Sequence, residues 1–387
     1  ATLTWLLWLM APGDLLTRAS YLSETTSAAL WLVGWWALLR WRDTGRSGHL
    51  FTLAASAGWA FLTRPLTAVA LAVPVGIVVL REVGRRRAWR PLAMAALVGG
   101  LLAAIVPLWS WQTMGDWRTT PYRQYSRVYY PYQWSGFRFN DSPPLRPYPP
   151  EMKEFDRQFR RVQREHRVGA LPGILGERLA AIGGDVWAGR RALMAFALLG
   201  ALGAPPEALF ALASSLVLVL AYLIYAHAAA WSVYYLETHA TLAYLTALGL
   251  WRVLSGLAAR LSPVPGRAKA FLRWGFRALV LAAVVPAALQ VALSRWAADE
   301  RGAEQARFRN ALDGIAGREA IVFVRHAATH DPHRELVANE PDLKASRAWI
   351  VRDRGGENRK LMRLAPGRAP YLYDESRHLL SPLAAGG

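Results

Sequence analysis

Not one of the chain's 387 residues is cysteine, which excludes disulfides and thiolate metal sites and leaves redox chemistry silent about the compartment. Acidic residues are scarce, 27 against 46 Lys and Arg, for a formal net charge of +19. Charged side chains of both signs make up only 19% of the chain, while 53% of residues are hydrophobic and 18 are Trp. That balance is too apolar and too uneven for an ordinary soluble enzyme. Internal repeats, a heptad seam, low-complexity tracts and a metalloprotease H-E-x-x-H spacing are also missing. There is no initiator Met, charged n-region or cleavage site, so Ala1 to Met10 reads as the end of a helix truncated at its N-terminus.

What is present is a series of apolar stretches, from Ser23 to Leu80, Pro91 to Trp111, Leu193 to Leu254 and Ala278 to Leu293. A bilayer core of ~30 Å asks for ~20 helical residues, so these read as membrane spans. The positive charge is then explained without nucleic acid: runs such as Arg85, Arg86 and Arg87 beside an apolar helix are cytoplasmic flanks. The 32 residues between His49 and Leu80 are interrupted at Thr63, Arg64 and Pro65. Because both flanks are basic, they read as two short helices with a turn at Arg64 near the opposite face. Ile182 to Leu202 reads as a returning span. The loop from Arg252 to Arg277 holds six basic residues and no acid, placing it in the cytoplasm.

The expected fold class is mainly α: a polytopic transmembrane helical bundle over residues 1–294, with about eight spans, a partial one and an external loop at 112–186. Residues 295–387 form a small C-terminal α/β soluble domain, with a helix near Glu304 to Leu312 and strands at Ala320 to Val324, Trp349 to Arg352 and Ala369 to Tyr373. The orientation makes that domain extracytoplasmic, on a multi-pass protein of the bacterial inner membrane.

Five groups of residues could carry chemistry. The external loop interleaves Arg118, Arg123 and Arg127 with Trp117, Tyr122, Tyr125 and Tyr129, suited to a sugar ring or a pyrophosphate. An interfacial aromatic belt explains the same composition. Arg64 is an ionisable group inside an apolar stretch, a functional expectation by default, with snorkelling to the interface as the plain alternative. Around a late external junction lie His227, Trp231, Tyr234, Tyr235, Glu237 and His239. In a helix Tyr235 and His239 would share one face and Tyr234 and Glu237 another, for phosphate binding, a base, or mere anchoring. Asp14 and Glu24 flank Arg18 and could serve as base or divalent-cation ligands, although their spacing matches no metal motif. In the tail, His326, His330 and His333 invite a metal reading, but Asp331 and Pro332 favour a surface loop, and no metal site is expected.

Three of these patterns together, Tyr21-Leu22-Ser23-Glu24, Ala60-Phe61-Leu62-Thr63-Arg64-Pro65-Leu66-Thr67 and Tyr234-Tyr235-Leu236-Glu237, resemble the GT-C class of membrane glycosyltransferases, in particular the protein mannosyltransferase and aminoarabinose transferase group. The resemblance covers roughly Ala1 to Leu293 and does not reach the tail. It implies inverting transfer of a sugar from a polyprenyl-phosphate donor to a saccharide, lipid or protein acceptor at the external face of the bilayer. It also implies a catalytic acid in the first external loop, for which this chain has no matching position; a divalent cation is possible. Arg64 and Tyr235 match the positions that contact the carrier phosphate, joined by Arg118, Arg123, Tyr122 and His239 from the reading above. Glu237, Asp14 and Glu24 remain the candidate carboxylates. A lipid-linked saccharide flippase and a non-catalytic subunit of an envelope complex are the competing functions; pseudo-symmetric halves, which would favour the flippase, are not evident.

Overall fold

The computed structural model describes residues 4, 7, 8, 23–133, 135–146, 153–187, 192–260, 266–327, 330, 335–340 and 342–383. The chain divides into two compact units, Ala1–Gln290 and Val291–Gly387. The first is helical. Its elements are α1 (Ser23–Thr44), α2 (Ser47–Thr63), α3 (Pro65–Arg86), α4 (Trp89–Ala103), α5 (Ile105–Met114), α6 (Pro121–Tyr129), α7 (Lys153–Glu165), α8 (Leu171–Trp187), α9 (Ala192–Ala201), α10 (Pro206–Tyr222) and α11 (Leu236–Arg260). A further helix, α12 (Arg267–Asp313), contains the division between the units. Among the described residues, three helical stretches are long and apolar enough to cross a membrane: Pro65–Arg86, Trp89–Met114 and Ser232–Arg260. Ala192–Ala201 and Pro206–Tyr222 are shorter apolar helices.

The break expected at Arg64 is there, and Pro65 is its cause. A residue before proline is pushed out of the α region, and proline is tolerated only where its missing N–H would have no partner. Arg64 accordingly has φ −147° and ψ 86°, ending α2 while Pro65 opens α3. The backbone stays satisfied, with Arg64 N–H donating to Ala60 O at 2.7 Å and Ala68 N–H to Arg64 O at 3.0 Å. The second helix is longer than expected, however. It passes Leu80 and runs to Arg86 because Glu82 pairs with Arg85 and Arg86 one turn on.

The single returning span expected over Ile182 to Leu202 is instead two helices, α8 and α9. The external loop of 112–186 is also more ordered than a loop, since it contains α6, α7 and all but the last residue of α8. At Tyr234 to His239 a 3-10 turn, Ser232–Tyr235, precedes α11, so the two expected faces of one helix do not form; Tyr235, Glu237, Thr238 and His239 are all buried.

Helix packing relies on glycine at two close approaches. A Cβ on Gly249 of α11 would lie 1.8 Å from Phe196 O, and one on Gly200 of α9 would lie 1.9 Å from Leu245 O. Backbones this close are the small-residue packing that helices use where lipid removes a hydrophobic drive between them.

The second unit is a four-stranded sheet formed by β1 (Ala320–Arg325), β2 (Ala348–Arg352), β3 (Ala369–Asp374) and β4 (Leu379–Pro382), in the order β2-β1-β3-β4. β1 is parallel to both neighbours and β4 is antiparallel to β3. The central position of β1 follows from its continuous apolar run, which buries every residue from Ala320 to Val324. Phe308 at the end of α12 covers this sheet and meets Tyr373 edge-on at 4.7 Å. The expected three strands are present. β4 and the short helix α13 (Asn358–Leu364) are additions. One expectation is corrected: His326 and His330, assigned to a solvated turn, have side chains only 11% and 8% exposed, because both turn inward onto Glu375. His333 lies outside the described residues.

Substituting Gly249 or Gly200 by Ala is expected to destabilise the protein by about 3 kcal/mol, the upper end of the overpacking range, since backbone atoms cannot yield to a Cβ. Gly256→Ala, on the same α11 but with open space around it, is expected to be neutral or slightly stabilising. Thermal unfolding in detergent distinguishes the two. Equal melting temperatures for Gly249→Ala and Gly256→Ala would contradict the close packing.

Candidate functional site

Arg64 occupies the break between α2 and α3 with a side chain only 6% exposed, and it faces a carboxylate that is completely buried, Glu237 at the start of α11. Arg64 Nη1 and Glu237 Oε1 are 3.8 Å apart, an ion pair without a hydrogen bond. Ser27 of α1 donates to the same Glu237 oxygen at 2.5 Å. Tyr222 and Tyr234 lie side by side against the guanidinium, their ring centroids 5.4 and 5.0 Å from its central carbon and 5.3 Å from each other. Tyr222 is fixed by Thr67 of α3, hydroxyl to hydroxyl at 2.9 Å. Among the described residues, Nη1 and Nη2 of Arg64 and Oε2 of Glu237 have no hydrogen-bond partner.

A second buried arginine, Arg178 of α8, lies in the layer next to this pair. Its two terminal nitrogens donate to Tyr222 O at 2.7 Å and Tyr225 O at 2.8 Å, carbonyls at and just beyond the end of α10. A cation there also complements the negative end of the helix dipole. Beside it, His227 Nδ1 lies 2.9 Å from Ala228 O, and Nε2 lies 2.9 Å from the Tyr235 hydroxyl. A carbonyl only accepts, so Nδ1 carries the proton and Tyr235 donates its own to Nε2. Burial, reinforced by the Arg178 charge, pushes the His227 imidazole down to about 3, so it is neutral.

The long segment before α8 closes over this region. Tyr225 meets Tyr234 edge-on at 5.6 Å and interacts electrostatically with Tyr122, whose hydroxyl accepts from Gln133 Nε2 at 2.8 Å. Gly136 N–H donates to Ile224 O at 2.6 Å, Phe137 stacks on His166 and Phe159 meets Trp231 edge-on.

Of the residues singled out from sequence, Arg64, Tyr235, Glu237 and His239 are therefore buried around one junction, with Tyr122 above it. The hydroxyl of Tyr235 is committed to His227, which makes it a positioning group in this arrangement rather than a free phosphate ligand. Glu24 is half-buried in the first turn of α1 and acts electrostatically on Tyr222 and Tyr234. Arg118 and Arg123 are exposed, Arg118 stacking on its neighbour Trp117 at 4.5 Å. Asp14 lies outside the described residues. Sequence reasoning missed Arg178, Ser27, Thr67 and Tyr222. An arginine within an apolar run, the signal that marked Arg64, also applies to Arg178 in Leu171–Trp187.

A cavity of about 510 Å³ opens elsewhere, between Leu38, Arg42, Ile77, Arg81, Glu82 and Phe210, towards the end of α3 remote from Arg64. Its basic rim belongs to the flank of the apolar helices, and none of the residues above lines it. Compared with known protein families, curated proteins and solved structures, the chain matches none.

The His227 arrangement has a pH signature. Below the ordinary histidine value of ~6.5 the unfolded chain takes up a proton that the folded chain does not accept until about 3. Stability should therefore fall as pH drops through that window, with a slope approaching ~1.4 kcal/mol per pH unit from this one group. Melting temperatures of the wild type and His227→Gln in detergent, measured between pH ~7 and ~5, should diverge, with the variant falling less steeply. Parallel profiles would show that His227 is not held neutral.

Proposed function

We propose that this chain is a polytopic membrane glycosyltransferase that takes a sugar from a polyprenyl-phosphate donor, with Arg64 receiving the phosphate. The observation that carries the reading is the state of Arg64: buried, permanently charged, and with both terminal nitrogens free of hydrogen bonds among the described residues. A buried arginine with unused donors is costly unless it has an anion to meet. The phosphate of a lipid-linked sugar supplies that anion in a form that reaches a membrane-embedded site along the bilayer.

The bilayer itself is supported by packing. Trp89–Met114 is long and apolar enough to cross, yet only 6% of its most apolar stretch is buried within the protein. Leu97, Leu101, Ile105, Leu108 and Trp111 along it are all exposed. Such a surface is stable against lipid tails and not against water. The same holds for Ile77 of α3 and for Leu198 and Leu202 beside α9. On this reading α1 to α3, α9 to α11 and the apolar part of α12 join Trp89–Met114 in the bundle, in a bacterial inner membrane with the C-terminal unit outside.

In the transfer, an acceptor oxygen forms a bond to the anomeric carbon as the bond from that carbon to the phosphate oxygen breaks. Negative charge builds on the departing phosphate. Arg64 meets that charge with in-plane N–H groups, in a site from which water is excluded and where such a contact is strongest. Tyr222 and Tyr234 keep the guanidinium from turning, while Glu237 and Ser27 hold it from behind. Removing Glu237 would leave the arginine unpaired before substrate arrives. Glu24, half-buried and not sealed in, is the candidate base that would take the acceptor's proton.

The test separates structure from chemistry. In full-length protein assayed with a polyprenyl-phosphate sugar, Arg64→Gln is expected to lower transfer at least ~100-fold. Because that change strands Glu237, the double variant Arg64→Gln/Glu237→Gln serves as the control and should recover thermal stability but not transfer. Recovery of transfer along with stability would reduce Arg64 to a structural ion pair and remove the proposed role.

A further inference from the structure

The carboxyl ends of the three parallel strands in the C-terminal unit meet at one place. β1 leads to β2 on one side, whereas β3 leads to β4 on the other. The chain segments leaving β1 and β3 thus part from each other and open a crevice between them. In open sheets with parallel strands this is where ligands are held. His326 follows the end of β1 and Glu375 follows the end of β3, with Glu375 N–H still bonded to Arg325 O at 3.0 Å.

Glu375 is only 4% exposed, and its two oxygens take one imidazole each. Oε2 is 3.0 Å from His326 Nδ1, and Oε1 is 2.8 Å from His330 Nδ1. The Ala327 N–H donates to Oε2 as well, at 2.8 Å. A carboxylate accepts, so in both rings Nδ1 carries the proton and Nε2 presents its lone pair. The rings stack at 3.7 Å between centroids. Both Nε2 atoms are buried and neither has a hydrogen-bond partner among the described residues. Glu335 completes the set. Its Oε1 is 3.1 Å from His326 Nε2, while Arg352 occupies its other oxygen. Ligand atoms of His326, His330 and Glu335 all lie within 4.8 Å of one another.

We infer that the C-terminal unit binds a divalent transition metal, of the class of Zn²⁺, through His326 Nε2, His330 Nε2 and Glu335 Oε1, with Glu375 orienting both imidazoles. Three features carry this beyond a chance cluster. A carboxylate holding the far nitrogen of a ligating histidine is the usual support of such sites, and here one carboxylate supports two. The 3.1 Å separation of His326 Nε2 and Glu335 Oε1 is close to the ~3.3 Å edge of a tetrahedron whose metal–ligand bonds are 2.0–2.1 Å long. Two imidazoles with one carboxylate suit zinc and its neighbours, and not Mg²⁺ or Ca²⁺, which seek oxygen. Three protein ligands leave a fourth position for water or an incoming group, the open arrangement of a reactive site. This inference is independent of sugar transfer, since every residue it uses lies in the second unit.

The experiment uses the full-length protein in detergent, stripped with chelator and dialysed. Titration with Zn²⁺ should saturate at one ion per chain, and Co²⁺ should give the intense visible absorption of a four-coordinate ion, with neither displaced by millimolar Mg²⁺. His326→Ala and His330→Ala should each weaken zinc binding at least ~100-fold. Glu375→Gln, which leaves all three ligands in place, should weaken it ~10-fold to 100-fold. Metal-free melting temperatures provide the folding control, and Glu335→Gln provides a conservative ligand variant if an alanine variant does not fold. Failure to bind zinc stoichiometrically would overturn the site. So would zinc binding that persists undiminished in His326→Ala and Glu335→Gln, because the ion would then sit on other residues.

Discussion

Two opposite charges removed from water, Arg64 and Glu237, set the terms for the helical unit. Either ion alone in an apolar bundle would cost several kcal/mol, and together they are tolerable only while they face each other. That requirement reaches far along the chain. Arg64 is brought in by the proline break between α2 and α3, Glu237 by the turn that opens α11, and Ser27 by α1, 210 residues from its partner. The close approach at Gly200 and Gly249 fixes α11 against α9 and so fixes where Glu237 emerges. An apolar pair of similar size would pack there at less cost, which is why the charges point to a task as well as to stability.

The next layer protects this pair without neutralising it. Arg178 is the second buried cation, yet its terminal nitrogens are taken up by the carbonyls of Tyr222 and Tyr225. It stabilises the end of α10, and that end carries Tyr222, one of the two tyrosines against which Arg64 rests. His227, kept neutral, adds no further positive charge and instead receives the Tyr235 proton. Above these, the segment bearing Tyr122, Gly136, Phe137 and Phe159 contacts Tyr225, Ile224, His166 and Trp231. Aromatic residues in that segment, ambiguous in the sequence between sugar binding and a membrane belt, are in part the cover of the buried layer.

What the sequence discloses follows from the range of the interaction involved. The Arg64 break is legible because Pro65 acts on its immediate neighbour, and the strands of the tail are legible because β-branched runs in β1 and β2 and alternating tyrosines in β3 state their own preference. α8 is not, since its residues before Ile182 read as part of the loop at 112–186 and Ile182 opens the expected returning span, whereas Leu171–Trp187 is one helix that crosses that boundary. Pairing of Ser27 with Glu237 leaves no local trace at all. In the tail, Asp331 and Pro332 point to a turn, but the side chains at its edge are governed by Glu375, 45 residues beyond His330. His333, three residues past His330, lies outside the described residues, and Glu335 two positions on is the residue whose oxygen groups with the two imidazoles.

Between the two buried arginines, geometry decides which one is available to a ligand. Both are desolvated and both retain their charge, so burial alone does not separate them. Arg178 spends Nη1 and Nη2 on main-chain carbonyls and could release them only by fraying α10. Arg64 spends neither, its attraction to Glu237 acting at 3.8 Å and Tyr222 and Tyr234 lying together on one side of it. On the proposed reading, an anion that reached Nη1 and Nη2 would gain hydrogen bonds without displacing any that these nitrogens make among the described residues, and a phosphate, with several oxygens in one headgroup, has the shape to take both.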